Sequence, residues 1–202
     1  MKTQIFETRE EWEQARRGKI TGSRLGDMTL KQSKAKKIGF YALIAERLGI
    51  PADDEDSMQR GTRLEPEAIL MFEQETGNTV DRRRKLWMRD DNESIAISPD
   101  GDFNNEEDAV EAKCLASSRH IEAYLTGKIP KDYEYQRTQY FVVNDKLKRL
   151  HFAFYDPRLI AKPFFIITIE RHTIEKEIME AIALERDILT EVTSIVNQLS
   201  NF

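Results

Sequence analysis

The chain has 202 residues, of which 40% are apolar and 33% charged, with a net charge of −5 at pH 7. This is the composition of a folded domain rather than a disordered chain; the length suits one domain over residues 1–202, and no apolar run is long enough to cross a bilayer. No signal-peptide pattern is visible at the start, and the single cysteine, Cys114, excludes an internal disulfide or a multi-cysteine zinc or iron–sulfur site, so the expected location is a reducing cytoplasm, that of a bacterium or a phage-infected host cell.

Residues 39–48 have helical apolar spacing, with Gly49 placed to cap the end. The acidic stretch Asp53-Asp54-Glu55-Asp56, after Pro51, reads as an exposed loop. A second helix is predicted from near Thr62 to Gly77, with Leu64, Ala68, Met71 and Phe72 as its apolar stripe. Pro66 is tolerable there only in the first turn. The period then changes. Residues 84–89, 94–98 and 108–114 suit short strands separated by Asp-Asn and Asp-Gly turn signals. Helices are predicted over 117–126 and 132–144, strands over 149–155 and 164–170, and a long amphipathic helix over 174–199. This order predicts an α/β fold with a mixed central β-sheet flanked by α-helices.

The acidic balance counts against a nucleic-acid binder, yet affinity for phosphate depends on where charge sits, because screening confines it to about 10 Å. Two basic clusters stand out, Lys31, Lys34, Lys36 and Lys37, and Arg82-Arg83-Arg84-Lys85. Each is either a solvated face or a phosphate contact.

The chemistry centres on Ser98-Pro99-Asp100-Gly101, followed by Glu111-Ala112-Lys113. On a strand, Glu111 and Lys113 project to one face and Ala112 to the other. If the two segments form a hairpin, Asp100 arrives beside them. Two adjacent carboxylates repel unless a positive charge lies between them, and a hard divalent cation such as magnesium prefers such oxygen ligands. The ion would lower the pKa of a bound water, and Lys113 could orient that water for phosphodiester hydrolysis. The ordinary alternative is a turn pair at Asp100-Gly101 and a surface pair of Glu111 with Lys113. Against it, Val110, Ala112, Cys114 and Leu115 make the strand otherwise apolar, and a charge on a buried strand needs a reason. His120, His151 and His172 have no ligand spacing and read as packing or surface residues.

The sequence resembles the phage lambda exonuclease family, also called YqaJ-like or viral alkaline exonucleases, within the restriction-endonuclease-like superfamily. The resemblance runs through Trp12-Glu-Gln-Ala-Arg16-Arg-Gly18-Lys-Ile20-Thr21-Gly-Ser23, Gly61-Thr-Arg-Leu-Glu65, Thr76-Gly77, Ser98 to Gly101, Glu111 to Cys114, Gln139-Tyr140 and Tyr155-Asp156-Pro157-Arg158. It implies a restriction-endonuclease-like core and metal ligation by Asp100, Glu111 and the Ala112 carbonyl. It further implies Lys113 as the catalytic lysine, Glu65 as a helix-borne acid at the metal site, and Gln139 near the attacking water. Arg16, Ser23 and Ser98 match a pocket for a DNA 5′-phosphate, and Met58 an apolar wedge. For Glu65 a capping box with Thr62 is the competing reading; for Ser23 it is a helix cap. Two departures stand out: the acids Asp102, Glu106, Glu107 and Asp108 between the carboxylates, and Arg137 in place of a second glutamine.

The resemblance implies a magnesium-dependent 5′-to-3′ exonuclease on linear double-stranded DNA, with manganese as a possible substitute. It also implies a homotrimeric ring around the DNA and a single-strand annealing protein as partner in recombination. The rivals are an endonuclease on the same core, of restriction or repair type, and a non-catalytic DNA-binding module. An iron–sulfur-bearing nuclease is disfavoured because Cys114 stands alone.

Overall fold

The computed structural model describes residues 1–28, 43, 59–115, 117–157 and 159–200. The lysine cluster at 31–37, the helix read over 39–48 apart from the buried Leu43, the acidic stretch 53–56, Met58 and Arg158 lie outside the described residues.

Two sheets form the framework. Strand β1 (Lys2–Phe6) pairs antiparallel with β2 (Arg84–Met88), which pairs antiparallel with β3 (Ala96–Ile97). The second sheet has the order β4-β5-β6-β7, from Gly101–Phe103, Asp108–Lys113, Arg149–Tyr155 and Phe164–Glu170. It is mixed, because β5 and β6 run parallel while both outer pairs are antiparallel. An isolated bridge from Asp81 to Asp102 links the end of the first sheet's approach to β4. The mixed sheet flanked by helices is the predicted class; the chain divides its strands between two sheets rather than one. Strand β4 was hidden in the sequence because it has only three residues and opens on a turn-like Asp-Gly.

The helices cover both faces of the four-stranded sheet. Helix α3 (Gln59–Thr76) lays Ile69 and Phe72 on Val110, Ala153 and Phe164. Helices α5 (Glu134–Val143) and α6 (Glu175–Ser200) pack on the other face, where Tyr140, Phe141 and Val192 meet Ala109, Leu150, Phe152 and Phe154. Burial on both faces is why β6 reads as a nearly unbroken apolar run. Each such fully buried side chain contributes roughly 1.5–3 kcal/mol. Helices α1 (Arg9–Arg16) and α2 (Gly22–Met28) sit beside β2 and α5, and α4 (Ser117–Thr126) follows β5.

Two local differences bear on the site. Helix α3 starts at Gln59, so Pro66 lies inside it rather than in its first turn, and Thr62 is a helical residue rather than a cap. Its lost N–H is one bond in an 18-residue helix anchored by Ile69 and Phe72. Gly22 opens α2 against α5: a Cβ there would come within 2.4 Å of Ile97 Cδ1 and 3.1 Å of Gln136 Cγ and Gln139 Cβ. A side chain there would force Ile97 to turn and α5 to give by a few tenths of an ångström, so glycine suits the close approach of α2 to α5.

One core group is charged in the sequence but not in the fold. Glu185, in the middle of α6, is fully buried, and neither carboxyl oxygen has a hydrogen-bond partner. The Gln139 amide of α5 faces it, and the charge of Arg89, just past β2, reaches it. Burial pushes its pKa up to about 8, so it is folded in as the neutral acid. Its folded pKa exceeds its unfolded one, so its contribution to stability is complete at acid pH and declines as pH rises towards 8. Urea unfolding at pH 5.5 and 8.5 should show this component, and Glu185→Gln should shrink the difference between the two pH values by a few kcal/mol. An unchanged difference would mean that Glu185 is not buried as the neutral acid.

Candidate active site

The β4–β5 hairpin assembles the centre. Its register pairs Gly101 with Val110 and therefore sets Asp100 across from Glu111. Asp100 Oδ2 accepts the Ala112 backbone N–H at 2.8 Å, which fixes the carboxylate at the strand edge. Strand alternation sends Val110 and Ala112 towards α3 and Ala109, Glu111 and Lys113 towards α5.

Helix α5 meets them with two side chains one turn apart. Glu111 is only 4% exposed. Its Oε1 accepts from Lys113 Nζ at 2.6 Å and from Gln136 Nε2 at 2.6 Å, and its Oε2 accepts from the Tyr140 hydroxyl. Lys113 Nζ also donates to Gln136 Oε1 at 2.9 Å. A buried carboxylate is expensive unless its lone pairs are satisfied, and three donors satisfy this one.

The surrounding pKa directions show how closely the acids crowd. Burial, then the charges of Glu111 and Glu65, hold Asp100 well above the usual carboxylate range. Burial and then Glu111 push Glu65 up as well. Burial pulls on the Lys113 ammonium, but Glu111 and Asp100 outweigh it and raise its pKa. Tyr140 is raised far above a free phenol by burial and by both carboxylates. Hard oxygen donors that repel one another suit a divalent cation. Among the described residues no three His, Cys, Asp or Glu side chains converge as a cage. An ion here would therefore be shared by two carboxylates, a backbone carbonyl such as that of Ala112, and water, which is how magnesium is commonly held.

Glu65 sits in α3 beside this group, and with Thr62 inside the helix the capping-box reading falls away. The Gln139 side chain is fully buried, with Nε2 donating to Ile20 O at 3.4 Å. Gln136, three residues earlier, is the glutamine at the centre. Helical spacing contains that signal: Gln136 and Tyr140 are i and i+4 on one face.

Arg16 and Ser98 are joined through Trp12, a link the sequence did not reveal. The Arg16 guanidinium lies 4.3 Å from the centroid of the Trp12 ring, and Trp12 Nε1 donates to Ser98 Oγ at 3.0 Å. Burial lowers the Arg16 pKa, Glu111 and Asp100 oppose that, and Arg24 adds to it. Arg16 Nε is buried and has no partner. Ser23 is exposed in the first turn of α2, inside the helix rather than capping it.

The remaining charged runs are mostly paired within the fold. Asp102 binds Lys85 at 2.7 Å, Glu107 binds Lys148 at 2.7 Å, and Asp108 binds Arg149 at 2.5 Å. Burial raises Asp108, but bonds from Arg149, Asn104 and His151 outweigh it and bring its pKa to about 2. In the second basic cluster Arg82 pairs with Glu73 and Arg83 with Asp81, while Lys85 is buried. Arg84 is exposed and lies within electrostatic reach of Glu65. His120 is buried against Phe165, His151 packs on Phe103, and His172 is exposed beside Glu170.

No curated protein sequence matches the chain. Among solved structures, the alkaline exonuclease LHK-Exo from Laribacter hongkongensis is 30% identical, covering 95% of this chain and 96% of that one, with a TM-score of 0.81. The LHK-Exo complex with dAMP matches at 31% identity over 94% and 95% of the two chains, with a TM-score of 0.80. A phage-related exonuclease from Haemophilus somnus, 16% identical over 87% of this chain and 95% of that one, shares the fold at a TM-score of 0.60. The sequence model of the YqaJ-like viral recombinase domain matches residues 11–146, the stretch that holds Trp12, Arg16, Glu65, Asp100, Glu111, Lys113, Gln136 and Tyr140. The chain belongs to the YqaJ-like viral recombinase family.

Proposed function

We propose that this protein is a recombination exonuclease that degrades one strand of linear double-stranded DNA from the 5′ end with magnesium as cofactor. The observation that carries the reading is Asp100 beside Glu111, with Lys113 held on Glu111 in a site closed by α5. Family membership and the likeness to LHK-Exo support a nuclease that serves recombination. The complex of LHK-Exo with dAMP supports a deoxynucleoside monophosphate as the kind of ligand the site takes.

Asp100, Glu111 and the Ala112 carbonyl would hold the ion. Magnesium, when bound, supplies a water of lowered pKa and neutralises charge on the phosphate. The third N–H of Lys113, beyond the two held by Glu111 and Gln136, would orient the attacking water. Gln136, neutral and able both to donate and to accept, fixes Lys113 and Glu111 relative to one another. Glu65 adds a third carboxylate at the rim. Arg16, backed by Trp12, and the Ser98 hydroxyl form the proposed seat of the 5′-phosphate, with Ser23 at its margin. A guanidinium suits a terminal phosphate because it can bind two of its oxygens. Manganese as a substitute ion, a homotrimeric ring around the DNA, and a single-strand annealing protein as partner belong to the same proposal. A ring would also retain DNA on an acidic protein without a basic surface throughout.

Digestion of linear duplex DNA with 5′-phosphate or 5′-hydroxyl ends, beside a closed circle, tests the reading. Magnesium-dependent loss of the 5′-phosphorylated strand is expected, with the circle intact and Lys113→Ala reduced about 10²–10⁴-fold. Cutting of the circle would instead make the protein an endonuclease, and binding without any cutting a DNA-binding module.

Ion binding has its own readout in thermal unfolding. At neutral pH the raised pKa of Asp100 means that its charge costs stability, since its favourable contribution belongs to acid pH. Asp100→Asn keeps an acceptor for the Ala112 N–H and removes the repulsion. In chelator the variant should melt about 2–4 °C above the parent, and magnesium should raise the melting temperature of the parent only. A magnesium shift that survives the substitution would remove Asp100 from the ion site.

A further inference from the structure

The Lys113 ammonium has three N–H donors. Glu111 Oε1 at 2.6 Å and Gln136 Oε1 at 2.9 Å take two of them. An aromatic face flanks the same ammonium: Nζ lies 4.3 Å from the centroid of the Tyr133 ring. Tyr133 is half-buried, ends the 3₁₀ turn Lys131–Tyr133 and leads directly into α5, three residues before Gln136. The Arg119 guanidinium lies 5.9 Å from the centroid of the same ring, and Arg119 is tied to Asp132 of that turn at 2.7 Å.

We propose that Tyr133 is a positioning residue for Lys113: its ring face holds the ammonium aimed at the carboxylates and shuts it off from bulk water. A π face attracts a cation but offers no strong acceptor to compete for its protons. An oxygen in that place would draw Nζ away from Glu111 and Gln136. A flexible lysine with one side open to water would spread over several rotamers, and misplacement of a reacting group by about an ångström is costly. Because Tyr133 and Gln136 stand at the start of one helix, the ring and the amide move as a unit. The kinetic part of this inference rests on the nuclease reading of Lys113; the contact itself does not.

The test compares Tyr133→Leu, which fills the space without a π face, with Tyr133→Phe, which keeps the ring. Tyr133→Met replaces the leucine variant should that one fail to fold. On linear duplex DNA the leucine variant should lose about 3- to 30-fold in kcat at unchanged KM, and the phenylalanine variant should recover most of it. Independently, brief acetylation of the protein alone by an N-hydroxysuccinimide ester, read by mass spectrometry, should label Lys113 several-fold faster in the leucine variant. In the parent and in Tyr133→Phe it should stay slow, with the exposed Lys176 as reference. Equal labelling of Lys113 in all three proteins overturns the proposal. So does a phenylalanine variant as impaired as the leucine one, which would assign the effect to the hydroxyl, or a rise in KM alone, which would make Tyr133 a DNA contact. If the parent cuts no DNA, the nuclease reading fails while the labelling still decides the role of Tyr133.

Discussion

The carboxylate of Glu111 is the interaction around which the rest is arranged. It lies on an inner strand, in a layer otherwise filled by Ala109, Phe152 and Tyr140. A charge in that place is tolerated only because Lys113, Gln136 and Tyr140 all donate to it. Removing any one donor would leave a buried lone pair to be desolvated for nothing, which typically costs 1–3 kcal/mol. Part of the core's stability is thus committed to keeping an acid where an acid is unfavourable, a common sign that the group serves chemistry rather than folding.

Helix α5 is the element that makes this possible, and its position is fixed along its whole length. Its start carries Tyr133, whose ring meets Lys113. Its middle carries Gln136 and Tyr140, and there Gly22 lets α2 come close. At its end the carbonyls left open by the helix are taken by arginines: Arg171 donates to Phe141 O and Asn144 O, and Arg89 to Val142 O. Cations at a helix C-terminus also meet the favourable end of its dipole. A helix held at start, middle and end sets the distance between Gln136 and the β5 carboxylate within narrow limits, as a preorganised site requires.

How much of this the sequence disclosed depends on whether the cause was local. Strands β6 and β7 and helix α6 were legible because their apolar runs are long and their periods unmixed. The pairing of Asp100 with Glu111 was legible because a hairpin relates residues close in sequence. That Gln136 is the glutamine bonded to Glu111 and Lys113 was not legible, because a helix buried along more than half its length does not disclose which face meets the strand. The neighbours that meet this helix include Gly22, far away in sequence. The joining of Arg16 to Ser98 by Trp12 was hidden for the same reason, since 86 residues separate the indole from the hydroxyl. The start of α3 was misplaced because Pro66 argued for a first turn, and packing of Ile69 and Phe72 overrode that local preference.

Charge gives the last link between composition and site. Many of the acids that make the chain negative are cancelled inside the fold, as Asp102 is by Lys85 and Asp108 by Arg149. Glu111 has Lys113 for a partner, but Asp100 and Glu65 are not cancelled in that way. Lys113 pairs directly with Glu111 alone, Asp100 and Glu65 feel its charge from further off, and burial together with the excess negative charge shows in the raised pKa values of Asp100 and Glu65. Some of the net −5 is therefore concentrated where the proposed cation would neutralise it. On that view the acidic composition, which first counted against a nucleic-acid enzyme, comes partly from the centre that would act on the phosphate, and the binding field for DNA is that of the ion-loaded protein rather than the bare chain.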